Sequence, residues 1–339
     1  MKDIYYEKDY GRLYEKIEGG KAEFYEFTNQ HGTIKHLFIK REIPIDFPGA
    51  PYFDLTTPYS YGGPILLDCE AGKEIELAHE FKAAFQHYCQ NEKIVSEFVR
   101  FHPVYENASC FIDCYHMNFK RYTIQTNLSG TDDPILSEYS SSYRRDIRHA
   151  LKAGVEYRVH TNPADLKDFK SLYYSTMKRN EADSIYYFDD DYFKNCIELL
   201  GDKLVVVEVR FEDKIIGMSI NFAYGKAIHA HLTGTLQEYH HLAPAYVLQY
   251  ALALWGKENG FDLVHHGGGR TGQQDDKLYL FKKKFGKNKE MLYFTGSKIW
   301  NEELYEALCK AVGSTVESAD FPAYRHTLLP SQSAPVKVP

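Results

Sequence analysis

Apolar residues recur along this chain with two periods, and their alternation lays out an ordered set of elements. Asp9 to Ile17 has helical spacing. "KAEFYEFTN", the turn "QHG" and "TIKHLFIKREI" alternate apolar and polar residues about a glycine-bearing turn, the pattern of a hairpin. "DLTTPYSYGGP" (Asp54–Pro64) is loop chemistry, with prolines and glycines among aromatics. In "KEIELAHEFKAAFQHYCQN", Ile75, Leu77, Phe81, Ala84, Phe85 and Tyr88 form one helical stripe. "KIVSEFVRFHP" then reads as a strand, and "ASCFIDCYHMNFKRYTIQTNL" as one or two more.

The second half follows a similar order. "ADLKDFKSLYYSTMKRN" and "DDDYFKNCIELLG" are expected helices, the second opened by Asp189 to Asp191, which suit the positive end of a helix dipole. "KLVVVEVR", "FEDK" and "IIGMSINFAYG" predict a second hairpin, and "AIHAHLTGT" a third strand. "PAYVLQYALALWGKENG" is a helix with Pro244 in its first turn and Gly260 as its stop. "FDLVHHGGG", "EMLYFTGSKI" and "NEELYEALCKAVG" give a strand, a strand and a helix. One fold used twice is the simplest reading. The break falls near "NLSGTDDP" (Asn127–Pro134). A first domain over 1–128, a second over 129–299, a C-terminal helix within about 300–330 packing back on the first, and a disordered tail over 331–339 are expected.

Composition narrows the function classes. A net charge of −7 over 339 residues excludes a wholly basic nucleic-acid binder. The N-terminus "MKDIYYEKDY" lacks the apolar core of a signal peptide, and the longest apolar run, near Ala245 to Trp255, is too short to span a bilayer. The six cysteines form no CxxC pair. Cys110, Ile112, Cys114 and His116 would share one face of a strand as buried thiols. A reduced, cytoplasmic protein without a metal follows as the expectation.

The densest chemistry lies in "HHGGGRTGQQDDKLYLFKKKFG" (His265–Gly286). No G-K-[ST] follows the glycines, so this is not a P-loop. Glycines ending a strand instead mark a place where a ligand or another backbone comes close.

Taken with "DLTTPYSYGGP", "EFVRFHPVYEN", "YRRDIRHALKAGV", "LYYSTMKRN" and "HLTGTLQEYHHLAP", this stretch resembles the Fem-type family of tandem GNAT-fold transferases. That family includes the non-ribosomal aminoacyl transferases of peptidoglycan bridge synthesis. The resemblance covers roughly residues 1 to 330. It implies an α/β, mixed-sheet fold of two tandem GNAT-like domains, with a cleft between or beside them and the chemistry in the second. Ordinary GNAT domains hold the coenzyme A pyrophosphate on a glycine-rich loop at a helix N-terminus. Here that loop reads "TGTLQEYHHLAP", which tilts the expected donor from acyl-coenzyme A to aminoacyl-tRNA. No coiled-coil arm separates the halves. The acceptor is expected to be an amine of a small or peptidoglycan-precursor-like molecule. A second alternative is a binding protein on a decayed GNAT pair.

The resemblance also nominates residues. Phe281-Lys282-x-x-Phe285 matches the family's F-K-x-x-F pattern. The phenylalanines, one helical turn apart, would anchor the helix and aim Lys282 at the reacting carbonyl or at the donor's phosphates. His266 and Asp275 are candidate proton acceptors, with Asp275 or Asp276 as the alternative N-cap. Gly267 and Gly268 would admit substrate. Arg179 falls where the family binds its acceptor, and Tyr239 matches a tyrosine after its "GT". Arg144, Arg148 and Lys152, at i, i+4 and i+8, form a stripe suited to phosphates or to solvent. Tyr59, Tyr61 and Arg100 would wall the acceptor side.

Overall fold

The computed structural model describes residues 2–316, 318 and 321–325. The tail over 331–339 lies outside them. In chain order the elements are α1 (Lys8–Glu18), β1 (Lys21–Asn29), β2 (Gly32–Glu42), β3 (Phe53–Thr56), β4 (Ile65–Cys69), α2 (Glu74–Asn91), β5 (Ile94–Arg100), β6 (His116–Asn127), α3 (Pro134–Glu138), α4 (Ser141–Lys152) and β7 (Glu156–Thr161). There follow α5 (Lys167–Arg179), α6 (Asp190–Leu200), β8 (Leu204–Phe211), β9 (Lys214–Tyr224), β10 (Ala227–Thr235), α7 (Pro244–Glu258), β11 (Leu263–Gly268), α8 (Lys277–Lys283), β12 (Glu290–Ile299) and α9 (Glu302–Ala311). The class is mixed α/β.

The chain divides into two compact units. One holds Tyr14–Phe119 and the chain from Phe294 on; the other holds the N-terminal residues through Leu13 together with Lys120–Tyr293. The Asn127–Pro134 segment lies within this second unit and joins β6 to α3.

In the first unit, β1 and β2 form the antiparallel hairpin, β3 pairs with β2, and β3 runs parallel to β5. Thr295–Ile299 of β12 adds antiparallel to β5. The stripe on α2 buries Leu77, Phe81 and Phe85 against Ile34, Phe38 and Val99. Ile75, placed on that stripe by its spacing, is exposed instead, because it sits in the first turn of α2. On α9, Tyr305 and Leu308 pack with Ile43 and Val95. Within the core, His36 Nε2 lies 2.5 Å from Glu97 Oε1. The Tyr115 hydroxyl and the Trp300 indole N–H both donate to Glu97 Oε2 at 3.2 Å, so the carboxylate is satisfied on both oxygens.

The Cys110 to Cys114 segment is not a strand. Asn107–Ser109 is a 3-10 turn, and amides of Cys110, Phe111 and Cys114 bond back to Asn107, Ala108 and Phe111. The Asn107 side chain accepts from His102 N and donates to the carbonyls of Gly62 and Pro64, which holds the chain in a turn. The period-two pattern is accidental here; strand geometry begins at His116.

In the second unit, β7, β8, β9 and β10 form an antiparallel meander. After α7, β11 returns parallel to β10, and β6 lies antiparallel on its other side. Ile147 of α4 and Leu248 and Leu252 of α7 bury against Val205, Val207 and Ile216. Asp189 N-caps α6 through Tyr192 N at 2.9 Å.

Candidate active site

The parallel pairing of β10 with β11 lasts for three residue pairs, ending at His229↔His265. Beyond it, β10 stays bonded to β9 as far as Thr235↔Gly217, while β11 bulges between His265 and Gly267 and stays with β6 to Gly268↔Thr123. Each strand keeps its outer neighbour and loses the inner one, so a wedge opens in the sheet. In the first unit the equivalent parallel pair, β3 and β5, shifts register between Phe53 and Asp54 but stays paired through Thr56↔Phe98, the last residue of β3.

The glycines at the end of β11 are demanded by packing. Gly267 has φ +70°. A Cβ on Gly268 would lie 2.6 Å from the Tyr122 carbonyl oxygen, and one on Gly269 would lie 2.6 Å from Asp276 Oδ1. Asp276 is the N-cap of α8. Its Oδ1 accepts from Tyr279 N at 2.9 Å, and its Oδ2 from the amides of Arg270 and Thr271 at 2.9 and 3.0 Å. Burial alone would raise its pKa, but these amides hold it below the usual value. Asp275 is exposed and does not cap the helix.

The two phenylalanines of the F-K-x-x-F unit do anchor α8. Phe281 and Phe285 meet edge-to-face at 5.1 Å, and Phe285 packs on Tyr143 at 4.9 Å and Tyr139 at 5.2 Å. Lys282 therefore turns toward the end of β11, where its Nζ donates to the Gly268 carbonyl at 2.8 Å. Arg121 on β6 donates through a terminal nitrogen to the next carbonyl, Gly269, at 2.6 Å. Burial, then the Arg121 charge, push the Lys282 pKa down to about 8, with Asp276 pulling the other way.

His266 is buried, with its Nε2 2.8 Å from Thr126 Oγ1. The single hydroxyl hydrogen of Thr126 goes to the Phe285 carbonyl at 2.7 Å, so His266 Nε2 carries the proton and donates. Burial, and then Lys282, press its pKa down to about 3. A ring that weakly basic, already donating, is a neutral pin between β11, β6 and the end of α8.

Residues 137–283 match the model of the acetyltransferase (GNAT) domain family. The chain is 25% identical over 177 residues to the UDP-N-acetylmuramoylpentapeptide-lysine N(6)-alanyltransferase of Weissella viridescens. That alignment covers 52% of each protein, so the chain spans about half the length of the curated relative it matches. The crystal structure of FemX superposes with a TM-score of 0.69 at 15% identity, over 90% of this chain and 94% of that one. The C-terminal DUF2156 domain of a putative lysylphosphatidylglycerol synthetase from Agrobacterium fabrum superposes at 0.53, with 12% identity, over 89% and 90%. The chain has the fold of FemX. The wedge belongs to the unit that contains the matched GNAT domain.

The loop that binds pyrophosphate in ordinary GNAT domains is closed in this unit. Gln237–Leu242 winds into a 3-10 helix. Amides of Leu236, Tyr239 and Ala243 bond to the carbonyls of Ile216, Leu236 and His240, and Pro244 at the first turn of α7 has no N–H to offer. The capping residue, Ala243, sits at φ +49° with no side-chain cap.

The other nominated residues have local partners. Arg179 donates to the Thr235 carbonyl at 2.9 Å, tying the end of α5 to the end of β10 on one flank of the wedge. Tyr239 packs on Phe211, with the Lys214 ammonium 4.9 Å from its ring centre. Arg144 and Arg148 line a surface cavity of about 700 Å³, together with Ile135, Leu136, Leu254 and Lys257. Arg144 donates to the Leu136 carbonyl at 3.0 Å; Arg148 has no ion-pair partner among the described residues. In the first unit, Tyr59 stacks on Tyr14 and Tyr61 packs on His102. Arg100 donates to the Thr57 carbonyl at 2.6 Å and lies 3.4 Å from Glu18.

Sequence reasoning missed Arg121. It lies in an unremarkable strand, 148 residues from its carbonyl partner, and no local pattern signals that contact. The pairing of Asp3 with His229 at 2.8 Å was equally invisible. No helix among the described residues is long and apolar enough to cross a membrane.

Proposed function

We propose that this protein transfers an aminoacyl group from aminoacyl-tRNA to an amine of a peptidoglycan-precursor-like acceptor. The single observation that carries the reading is Lys282, a cation fixed beside the mouth of the β10–β11 wedge. There its ammonium has hydrogens left over after bonding Gly268, and can stabilise negative charge developing on an ester carbonyl or its leaving oxygen. Apart from that charge, the step needs mostly proximity, since the ester is activated and the amine is the nucleophile.

The choice of donor rests on the closed 236–244 loop. A coenzyme A pyrophosphate needs open amides at a helix start, and this loop spends several on itself. The alanyltransferase relative acts, by its name, on the lysine of a UDP-N-acetylmuramoyl pentapeptide, which suggests the acceptor class. Arg148 is suited to contact phosphates of either substrate. No resident cofactor is invoked, and a cytoplasmic location would match the substrates.

The test is transfer of a radiolabelled amino acid from mixed charged tRNA to a soluble UDP-linked muramoyl pentapeptide. The expected product is labelled peptide whose formation ribonuclease abolishes. Acetyl transfer from acetyl-coenzyme A to the same acceptor, with no label from tRNA, would overturn the reading in favour of the thioester donor.

A further inference from the structure

Two cations sit side by side at the end of β11 without a carboxylate on either. Lys282 holds the Gly268 carbonyl at 2.8 Å and Arg121 holds the Gly269 carbonyl at 2.6 Å. The nearest acid, Asp276, is engaged by three backbone amides and the Thr271 hydroxyl. Arg121 Nε is buried and has no hydrogen-bond partner. Like charges on consecutive carbonyls cost electrostatic energy that a purely structural site would avoid. A hydrophobic residue or a neutral amide at 121 could cover β11 without that cost.

We propose that Arg121 is a positioning residue for Lys282: from the neighbouring carbonyl its guanidinium confines the ammonium to Gly268 and makes it a readier proton donor. The inference rests on the transferase reading above. In the transfer, the acceptor nitrogen forms a bond to the ester carbonyl carbon and the carbon–oxygen bond to the ribose breaks. Lys282 gives a proton to the departing ribose oxygen. The proton shed by the acceptor nitrogen then returns to the Lys282 amine, so the site ends as it began. An acid with pKa near the working pH serves such a hand-off best. The depression of the Lys282 pKa agrees with this placement.

The charged and titratable groups around Lys282 come from every element packed on it. They are Arg121 on β6, His266 on β11, Asp276 at the start of α8, and Lys283 with Glu290 and Tyr279 beyond. His266 stays neutral and Lys283 pairs with Glu290, which leaves Arg121 as the one charge whose removal should move Lys282 most.

The experiment is pH-dependent competitive labelling of amines in the full chain, read at Lys282 by mass spectrometry, in wild type, Arg121→Gln and Arg121→Lys. The alkaline limb of the transfer rate is measured in parallel. Arg121→Gln should raise the Lys282 midpoint by about one pH unit, the alkaline limb moving with it, while Arg121→Lys stays near wild type. An unchanged midpoint in a folded Arg121→Gln protein overturns the proposal, as does a limb that does not follow the midpoint. Labelling reads the Arg121–Lys282 coupling even if wild type moves no amino acid from tRNA, so failure of the transferase reading is distinguishable. Arg121→Lys keeps the charge, so a midpoint raised equally in both variants also overturns it.

Discussion

The Lys282 ammonium is bound to the carbonyl of Gly268, fourteen residues earlier in the chain, at 2.8 Å. That bond joins the helix carrying the F-K-x-x-F unit to the strand carrying the glycines. It fixes a cation beside the place where β10 and β11 part. The lysine is held there at a cost: burial and the Arg121 charge drop its pKa from 10.5 to about 8.

The cost predicts a trade of stability for function. The folded protein binds the Lys282 proton less tightly than the unfolded chain does. The penalty is therefore fully present below about pH 8 and is relieved as pH rises from there toward 10.5. Lys282→Met should stabilise the protein at pH 7 by on the order of 1 to 2 kcal/mol, with the gain vanishing near pH 10. Denaturant melts at both pH values check this. Equal effects at pH 7 and 10 would show that the ammonium is not strained.

Two histidines, His266 buried and His231 partly so, predict acid sensitivity of the opposite sense. His266 and His231 are each pressed down to about 3, His266 by burial and Lys282, His231 by burial and His229. Below about pH 6.5 the unfolded chain takes up their protons and the folded one does not. Stability should fall as pH drops from 6.5 toward 3. His231→Phe, which gives up the 2.6 Å contact with the Tyr192 hydroxyl, should flatten part of that slope in urea melts between pH 7 and 4. An unaltered slope would place the acid sensitivity elsewhere.

The glycine run predicts a sharp steric limit. An added methyl on Gly268 meets the Tyr122 carbonyl, and on Gly269 the Asp276 cap, both at 2.6 Å. Either alanine variant should lose about 1 to 3 kcal/mol, since the Tyr122 backbone in one case and the Asp276 cap in the other must shift to admit the methyl. Gly260→Ala is a control for strain without crowding, its φ being +74° with nothing near its Cβ. Thermal melts of the three variants rank them; a Gly269→Ala protein as stable as wild type would refute the tight cap.

The anchor predicts a separation of packing from chemistry. Phe285 is fully buried, and truncation to alanine should cost about 3 to 5 kcal/mol. Because Phe285, just past the C-cap of α8, anchors the helix that aims Lys282, transfer should fall even in molecules that remain folded. Phe285→Leu, which keeps most of the volume, should recover both. Activity per folded molecule, taken from titrated melts, decides whether aim and stability travel together.

Much of this was legible before the structure. The helices over α2, α4, α5, α6 and α7 announce themselves by period, and Pro244 marks the start of α7 to the residue. The F-K-x-x-F resemblance nominated Lys282, and the two anchoring phenylalanines turn its ammonium to the Gly268 carbonyl. Asp275 and Asp276 could not be told apart by sequence; three amides converging on Asp276 decide the cap. His266 looked like a base because a histidine beside glycines suggests a cleft, yet its burial and the hydroxyl of Thr126 make it a pin. Cys110 to Cys114 mimicked a strand because turn residues can alternate by chance. Arg121 was out of reach, since its partner is set by the pairing of β6 with β11 and by nothing local.

The most direct test of the account is single-turnover transfer by Lys282→Ala, folded as judged by circular dichroism, with aminoacyl-tRNA and the muramoyl pentapeptide both saturating. The account predicts a rate reduced by a hundredfold or so, on the order of what loss of one preorganised charge costs, with binding of both substrates nearly unchanged. A rate equal to wild type would contradict it and remove Lys282 from the chemistry.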